Sequence, residues 1–226
     1  GNISIGDTSM LSMTDGGYNI GIGYRTLRAH VGGSRNIAIG YAVLSQTDGA
    51  NTAEAGDNVG IGYNALGGDW SNASEKNIAI GSYVFDDALS VCDRNIGIGF
   101  QVGTVATSST DNVIIGDQAG VAITDNAHNV VIGKGAFAAA NAAEHYNVII
   151  GSGAGDAIDT ADSNYNVIIG QDAGIGGGAK MEKCVAIGAN SLNTTAANAQ
   201  TGTIAIGYDA LTALTSGAYN TSAGYR

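Results

Sequence analysis

A pentapeptide, Asn-(Ile/Val)-x-Ile-Gly, returns along the whole chain, and that recurrence constrains the fold more than any other feature. It opens at Asn2, Asn19, Asn36, Asn58, Asn77, Asn95, Asn112, Asn129, Asn147 and Asn166. It continues at Cys184 and Thr203, where the first residue is replaced, and at Asn220, where a degenerate copy reads NTSAG. These are thirteen copies spaced 17 to 22 residues apart. A fixed element at such a period marks a stacked architecture in which each unit buries its apolar face against its neighbours. The expected fold is all-β, a parallel β-solenoid of thirteen repeats forming one array over residues 1–226. The chain opens and closes inside a copy, so it is read as a segment of a longer fibre.

Counting the leading residue as position one, positions two and four are Ile or Val in every copy but the last. At a period of two they share a face, expected to be the inside of the coil. Position three is small in the first six copies, then Ile114, Val131, Ile149 and Ile168, then Ala186 and Ala205. A strand apolar on both faces is buried on both. The economical cover for the second face is an identical chain, which makes Ile114, Val131, Ile149 and Ile168 the expected oligomer seam, where an acidic substitution would block assembly.

Thirteen of the 36 glycines close the pentapeptide, among them Gly23, Gly40, Gly62, Gly81, Gly99, Gly116, Gly133, Gly151, Gly170, Gly188 and Gly207. They fit a corner needing positive φ or close backbone approach. The leading residue is Asn in eleven copies; Asn19, Asn36, Asn58, Asn77, Asn95, Asn112, Asn129, Asn147 and Asn166 are expected to stack as a side-chain amide ladder. Pairs such as Thr26-Leu27, Val43-Leu44, Ala119-Gly120 and Ala173-Gly174 follow the corner and read as a second short strand or turn. The polar stretches between are loops.

The runs NIGIGYRTL, NIAIGYAVL, NVGIGYNAL and TIAIGYDAL resemble the repeat of phage tail fibres, and more distantly the head repeat of YadA-type trimeric autotransporter adhesins. The resemblance spans the chain. It implies a homotrimer of left-handed parallel β-rolls acting as an extracellular fibre, on a virion or a cell surface, that contacts a glycan or receptor.

Net charge is −11, which argues against nucleic acid or an anionic membrane as the main partner. Cys92 and Cys184, about five rungs apart at roughly 4.8 Å per rung, are too distant for a disulfide. No cofactor is expected. Asp156, Asp159 and Asp162 share one acidic loop where calcium is conceivable, without an EF-hand pattern. His30, His128 and His145 fall in loops and read as exposed. An acyltransferase β-helix would carry its hexapeptide about three times per coil and here it occurs once, while a polysaccharide depolymerase needs a carboxylate pair that twenty scattered acids do not single out. A purely structural filament is the nearer rival to an adhesin.

Tyr24, Tyr41, Tyr63, Phe100 and Tyr208 follow the corner glycine; such rings either cover neighbouring rungs or stack on sugars. The longest inter-repeat loops, Ser45 to Asp57 and Gly67 to Lys76, belong to adjacent rungs and are expected to protrude together. The candidate binding residues are therefore Trp70, Asp69, Tyr63 and Tyr41.

Overall fold

The computed structural model describes residues 1–46, 55–70, 72–87, 90–177, 179–195, 199–214 and 217–226. The chain divides into two compact units, Gly1–Asp111 and Asn112–Arg226. In the first, β1 (Ile3–Ile5), β2 (Ile20–Ile22), β3 (Ile37–Tyr41), β4 (Val59–Tyr63), β5 (Ile78–Ile80) and β6 (Ile96–Ile98) pair in order, parallel and in strict register. In the second, β7 (Val113–Ile115), β8 (Val130–Ile132), β9 (Val148–Ile150), β10 (Val167–Ile169), β12 (Val185–Ile187), β14 (Ile204–Ile206) and β15 (Thr221–Ala223) do the same. A short extra pair joins β11 (Met181–Glu182) to β13 (Gln200–Thr201). No helix occurs among the described residues. Each unit is a parallel β-solenoid, one pentapeptide strand per rung.

The two faces of the strand are the reverse of the sequence expectation. Position three points inward: Ala38, Ala79, Ile114, Val131, Ile149, Ile168, Ala186 and Ala205 are all buried within the single chain. Ile114, Val131, Ile149 and Ile168 therefore cannot be a seam between chains. Positions two and four point outward and are only partly covered; Ile80 is 36% and Ile206 41% exposed. The strand is apolar on both faces, so its own pattern does not say which side is the core.

The composition of position three has an internal cause. Across the rung it meets position nine, and the two share one volume. In most rungs where position three is small, position nine is large and buried, as in Ala38 with Leu44, Gly60 with Leu66 and Ala186 with Leu192; Gly97 shares its rung with Gly103 and is filled instead by Phe85 of the preceding rung. Ile114, Ile149 and Ile168 instead face Gly120, Gly155 and Gly174; a Cβ on Gly174 would stand 2.9 Å from the Ile168 Cδ1. Close packing favours this trade in size, although Val131 and Phe137 are both large and both buried in one rung.

The segment after the corner is a turn in every described rung. Its backbone alternates in handedness. Position seven (Arg25 φ 57, Ala42 φ 50, Asn64 φ 54), position nine (Leu27 φ 50, Leu44 φ 50, Leu66 φ 54) and the residue before the pentapeptide (Arg35 φ 60, Asp57 φ 60) are left-handed. Such a residue ordinarily costs about 1 kcal/mol or more. The conformation directs the N–H along the stack: Ala42 donates to Tyr24 O, Asn64 to Tyr41 O, and Leu27 to Val43 O. The corner glycines lie at φ 123 to 145, where a side chain is forbidden. A Cβ on Gly116 would run into the carbonyl of Gly133.

The leading Asn connects rungs and closes them. Asn58 Oδ1 accepts from the Asn77 backbone N–H at 3.0 Å and from Asn77 Nδ2 at 3.1 Å, while Asn58 Nδ2 donates to Ser74 O at 2.9 Å. Strand pairing leaves the N–H of position one without a backbone acceptor, and the preceding amide supplies one. The motif runs from Asn2 to Asn95 in the first unit. In the second it runs from Asn112 to Asn166, whose oxygen receives Cys184 N–H at 2.9 Å. The β11–β13 pairing appears beside the two copies that lack Asn.

His30 is fully buried, a correction to its reading as an exposed loop residue, with Nε2 3.1 Å from Asn36 Nδ2. Burial pushes its pKa from 6.5 down to about 4. Cys92 and Cys184 are buried free thiols, and burial pushes Cys92 up to about 11, which leaves it unreactive.

Two outcomes follow. Ile168→Ala should cost about 2–5 kcal/mol by cavity formation and Gly174→Leu about 1–3 by overpacking. Combined, they should recover part of the loss, with a coupling of about 1–3 kcal/mol in urea unfolding; simple additivity would separate the two sites. For His30 the folded pKa lies below the unfolded one, so its contribution is complete above pH 6.5 and is lost as pH falls toward about 4. The full swing is roughly 3 kcal/mol. The carboxyls of Asp86, Glu144 and Asp156 are pushed upward, mainly by desolvation, and act in the opposite sense. The effect should therefore be read against His30→Gln: the stability of the wild type relative to that variant should fall as pH drops through that window.

Candidate ligand-binding face

In the first unit the exposed residues of the corner form columns, because each rung places the same position above the last. Tyr24, Tyr41, Tyr63 and Phe100 at position six, bridged by Tyr83 from position seven, make a continuous aromatic ladder. Its centroids are 5.1, 4.8, 5.2 and 6.2 Å apart, and Tyr41 and Tyr63 lie parallel within 4°. Tyr41 and Tyr63 remain 41% and 43% exposed. The ladder thus covers neighbouring rungs along ring faces and leaves ring edges to solvent.

Beside it runs the column of position seven, Arg25, Ala42 and Asn64. Arg25 and Asn64 are long, and Ala42 between them is not. The gap opens into a cavity of about 280 Å³ whose other walls are Arg28, Ala29, Ser45, Gln46 and Asp69. At ~30 Å³ per water it has the volume of roughly nine waters. The lining is polar: one carboxylate, two guanidiniums, two amides and a hydroxyl. The Arg25 guanidinium lies 5.0 Å from the centroid of Tyr24, a cation–π contact that joins cavity to ladder.

The cations separate into two groups. Of nine Lys and Arg residues, seven are in ion pairs: Arg35–Asp57, Lys76–Glu75, Arg94–Asp111, Lys134–Asp117, Lys180–Glu182, Lys183–Glu182 and Arg226–Asp209. Arg25 and Arg28 form none among the described residues, and both line the cavity. Stacking supplies the reason. Arg35, Arg94, Lys134 and Arg226 each pair with an acid at the same position of an adjacent rung, whereas the neighbours of Arg25 are Thr8 and Ala42, and those of Arg28 are Leu11 and Ser45. Aligning the repeats by position would have exposed both arginines; reading each loop singly did not.

The four expected binding residues are not brought together. Asp69 lines the cavity, and Tyr41 and Tyr63 stand in the ladder. Trp70 is a correction: it is fully buried in the rung interior and unable to meet a ligand, since its ring is the largest apolar surface available to fill a wide rung. Of the two loops expected to protrude, residues 47–54 and Ser71 lie outside the described residues.

Among the described residues, no three His, Cys, Asp or Glu side chains are grouped to hold a metal ion. Of the proposed calcium loop, Asp156 feels its nearest charge from Asp172, in the next rung, and its carboxyl is pushed upward mainly by burial. Glu144 is buried, accepting from Asn126 Nδ2 at 2.7 Å and Ala142 N–H at 3.1 Å, and burial holds its carboxyl above the usual range. Sealed from solvent, it has no access to a substrate. The chain matches no known family, curated protein or solved structure.

Ala42→Leu should fill the cavity while leaving the fold intact, because Leu27, Leu44 and Leu66 already adopt the same left-handed backbone. An unchanged unfolding midpoint together with a lost cavity is the expected result. A large drop in midpoint would show that position seven does not tolerate bulk.

Proposed function

We propose that this chain is an adhesive segment of an extracellular fibre, its thirteen copies stacked as a left-handed roll and three chains associated into a homotrimer. The observation that carries this reading is the double row of outward Ile and Val at positions two and four. In the first unit, six rungs at about 4.8 Å carry that row for roughly 24 Å. Exposed apolar surface of this continuity marks an interface. A second copy of the chain is the partner whose own row has the same period, so every rung can meet an equivalent one. The seam is thereby assigned to positions two and four.

The adhesive part rests on the aromatic ladder and the polar cavity beside it, both on a rigid scaffold where binding groups concentrate. Ring edges beside hydrogen-bonding side chains suit a cell-surface glycan. A binding role is favoured over a depolymerase because the cavity holds one carboxylate, Asp69, where glycoside hydrolysis uses two about 5–9.5 Å apart. No helix among the described residues is long and apolar enough to cross a membrane.

Light scattering should give three chain masses for the wild type. Ile61→Asp combined with Ile80→Asp should yield a folded monomer, because those side chains face outward. Ile149→Asp should unfold its rung instead, at several kcal/mol for an unpaired buried carboxylate. An Ile61→Asp/Ile80→Asp protein that still trimerises would place the seam elsewhere. Wild-type protein should bind target cells, and failure to bind would leave only a structural filament.

A further inference from the structure

We infer that the cavity between Arg25 and Asn64 is a subsite for a carboxylated sugar, the acid group held by Arg25 and Arg28. This inference rests on the glycan-binding reading and names the class of glycan.

A chain with net charge −11 leaves two guanidiniums without ion-pair partners among the described residues, and places both on one cavity. An exposed arginine surrounded by surplus acids gains by pairing with one; here stacking denies each an acid at the matching position of the adjacent rungs. The planar guanidinium fork is the side chain best matched to a carboxylate, which it can bind through two parallel hydrogen bonds. Arg25 is held in place by its contact with Tyr24, so less order must be gained on binding.

The rest of the lining indicates what the acid is attached to. Asp69, Gln46 and Asn64 present acceptors and donors of the kind that meet hydroxyl groups, and the aromatic ladder reaches the cavity through Arg25, which lies over Tyr24. A single carboxylate on a polyhydroxylated ring satisfies both parts of the lining. Densely sulfated or phosphorylated polymers fit less well, because Asp69 faces the same space and the overall charge repels a polyanion. The size agrees: about 280 Å³ is near the lower end of ligand pockets, enough for one substituted ring.

The test uses the full chain in its assembled form, titrated calorimetrically with sialyllactose against lactose, and with galacturonate oligomers against their carboxyl-reduced counterparts. The acidic probe should bind at least tenfold more tightly in one of the two pairs. Arg25→Gln/Arg28→Gln should remove that preference while leaving the circular dichroism spectrum and oligomer mass unchanged. Raising the salt concentration should weaken the acidic probe and not the neutral one. Equal binding of acidic and neutral probes overturns the inference, as does a preference that survives in the double arginine variant. Absence of binding to all four probes, with adhesion to target cells retained, also overturns it and leaves the adhesive reading standing. Loss of adhesion as well removes both.

Discussion

Everything in this molecule depends on hydrogen bonds that run along the stack. A rung of irregular backbone satisfies only a few of its own peptide groups, as His30 N–H does with Leu27 O, so most N–H and C=O groups must find a partner in an adjacent rung. Strands do this automatically for a few residues; the turns do it by alternating the sign of φ. Among the described residues, thirty-two other than glycine adopt positive φ, a concentration that a globular domain would not tolerate. Here most left-handed residues direct their amides toward a carbonyl in the neighbouring rung, as Ala42 does to Tyr24 and Tyr83 to Tyr63. The strain of one residue is offset by a bond repeated at every level, each contributing roughly 1 kcal/mol net.

That constraint explains which columns could be read in the sequence. The corner glycines admit no other residue, because φ near 130 combines with direct contact to the next rung's carbonyl. The leading Asn satisfies a donor that the strand ladder leaves over and also spans the rung. Both roles recur at every level, so both are visible as fixed letters. Left-handed positions seven and nine tolerate Arg, Ala, Asn, Leu, Phe or Gly, so their shared conformation leaves no fixed letter.

The orientation of the strand was not legible from the strand. Ile at positions two and four, with Ala or Gly between, has the pattern of large residues packed inward and small ones outside. The information lay at position nine, where residues trade size with position three: Leu44 opposite Ala38, Gly174 opposite Ile168. The pair of positions, followed through successive rungs, shows one filled volume in most of them, with Val131 and Phe137 both large in one rung and Gly97 and Gly103 both small in another. Trp70 is illegible for a related reason: a polar loop between repeats reads as exposed, although a longer rung encloses more space and needs a larger side chain to fill it.

A perfect stack has no site. If every column held the same residue, all rungs would present the same surface and none would be distinguishable by a ligand. Recognition must arise where a column changes. The position-seven column changes at Ala42, where the loss of side-chain length between Arg25 and Asn64 opens the cavity. Charge changes at the same place. Elsewhere an arginine meets an acid one rung away, as Arg35 meets Asp57 at 2.6 Å, and the pair neutralises itself in a solvated position worth little to stability. Around Ala42 the register offers Arg25 and Arg28 no such acid. The regularity that binds one rung to the next is therefore also what leaves these two charges available, since a side chain set in a stack meets only what the adjacent rungs place at its level.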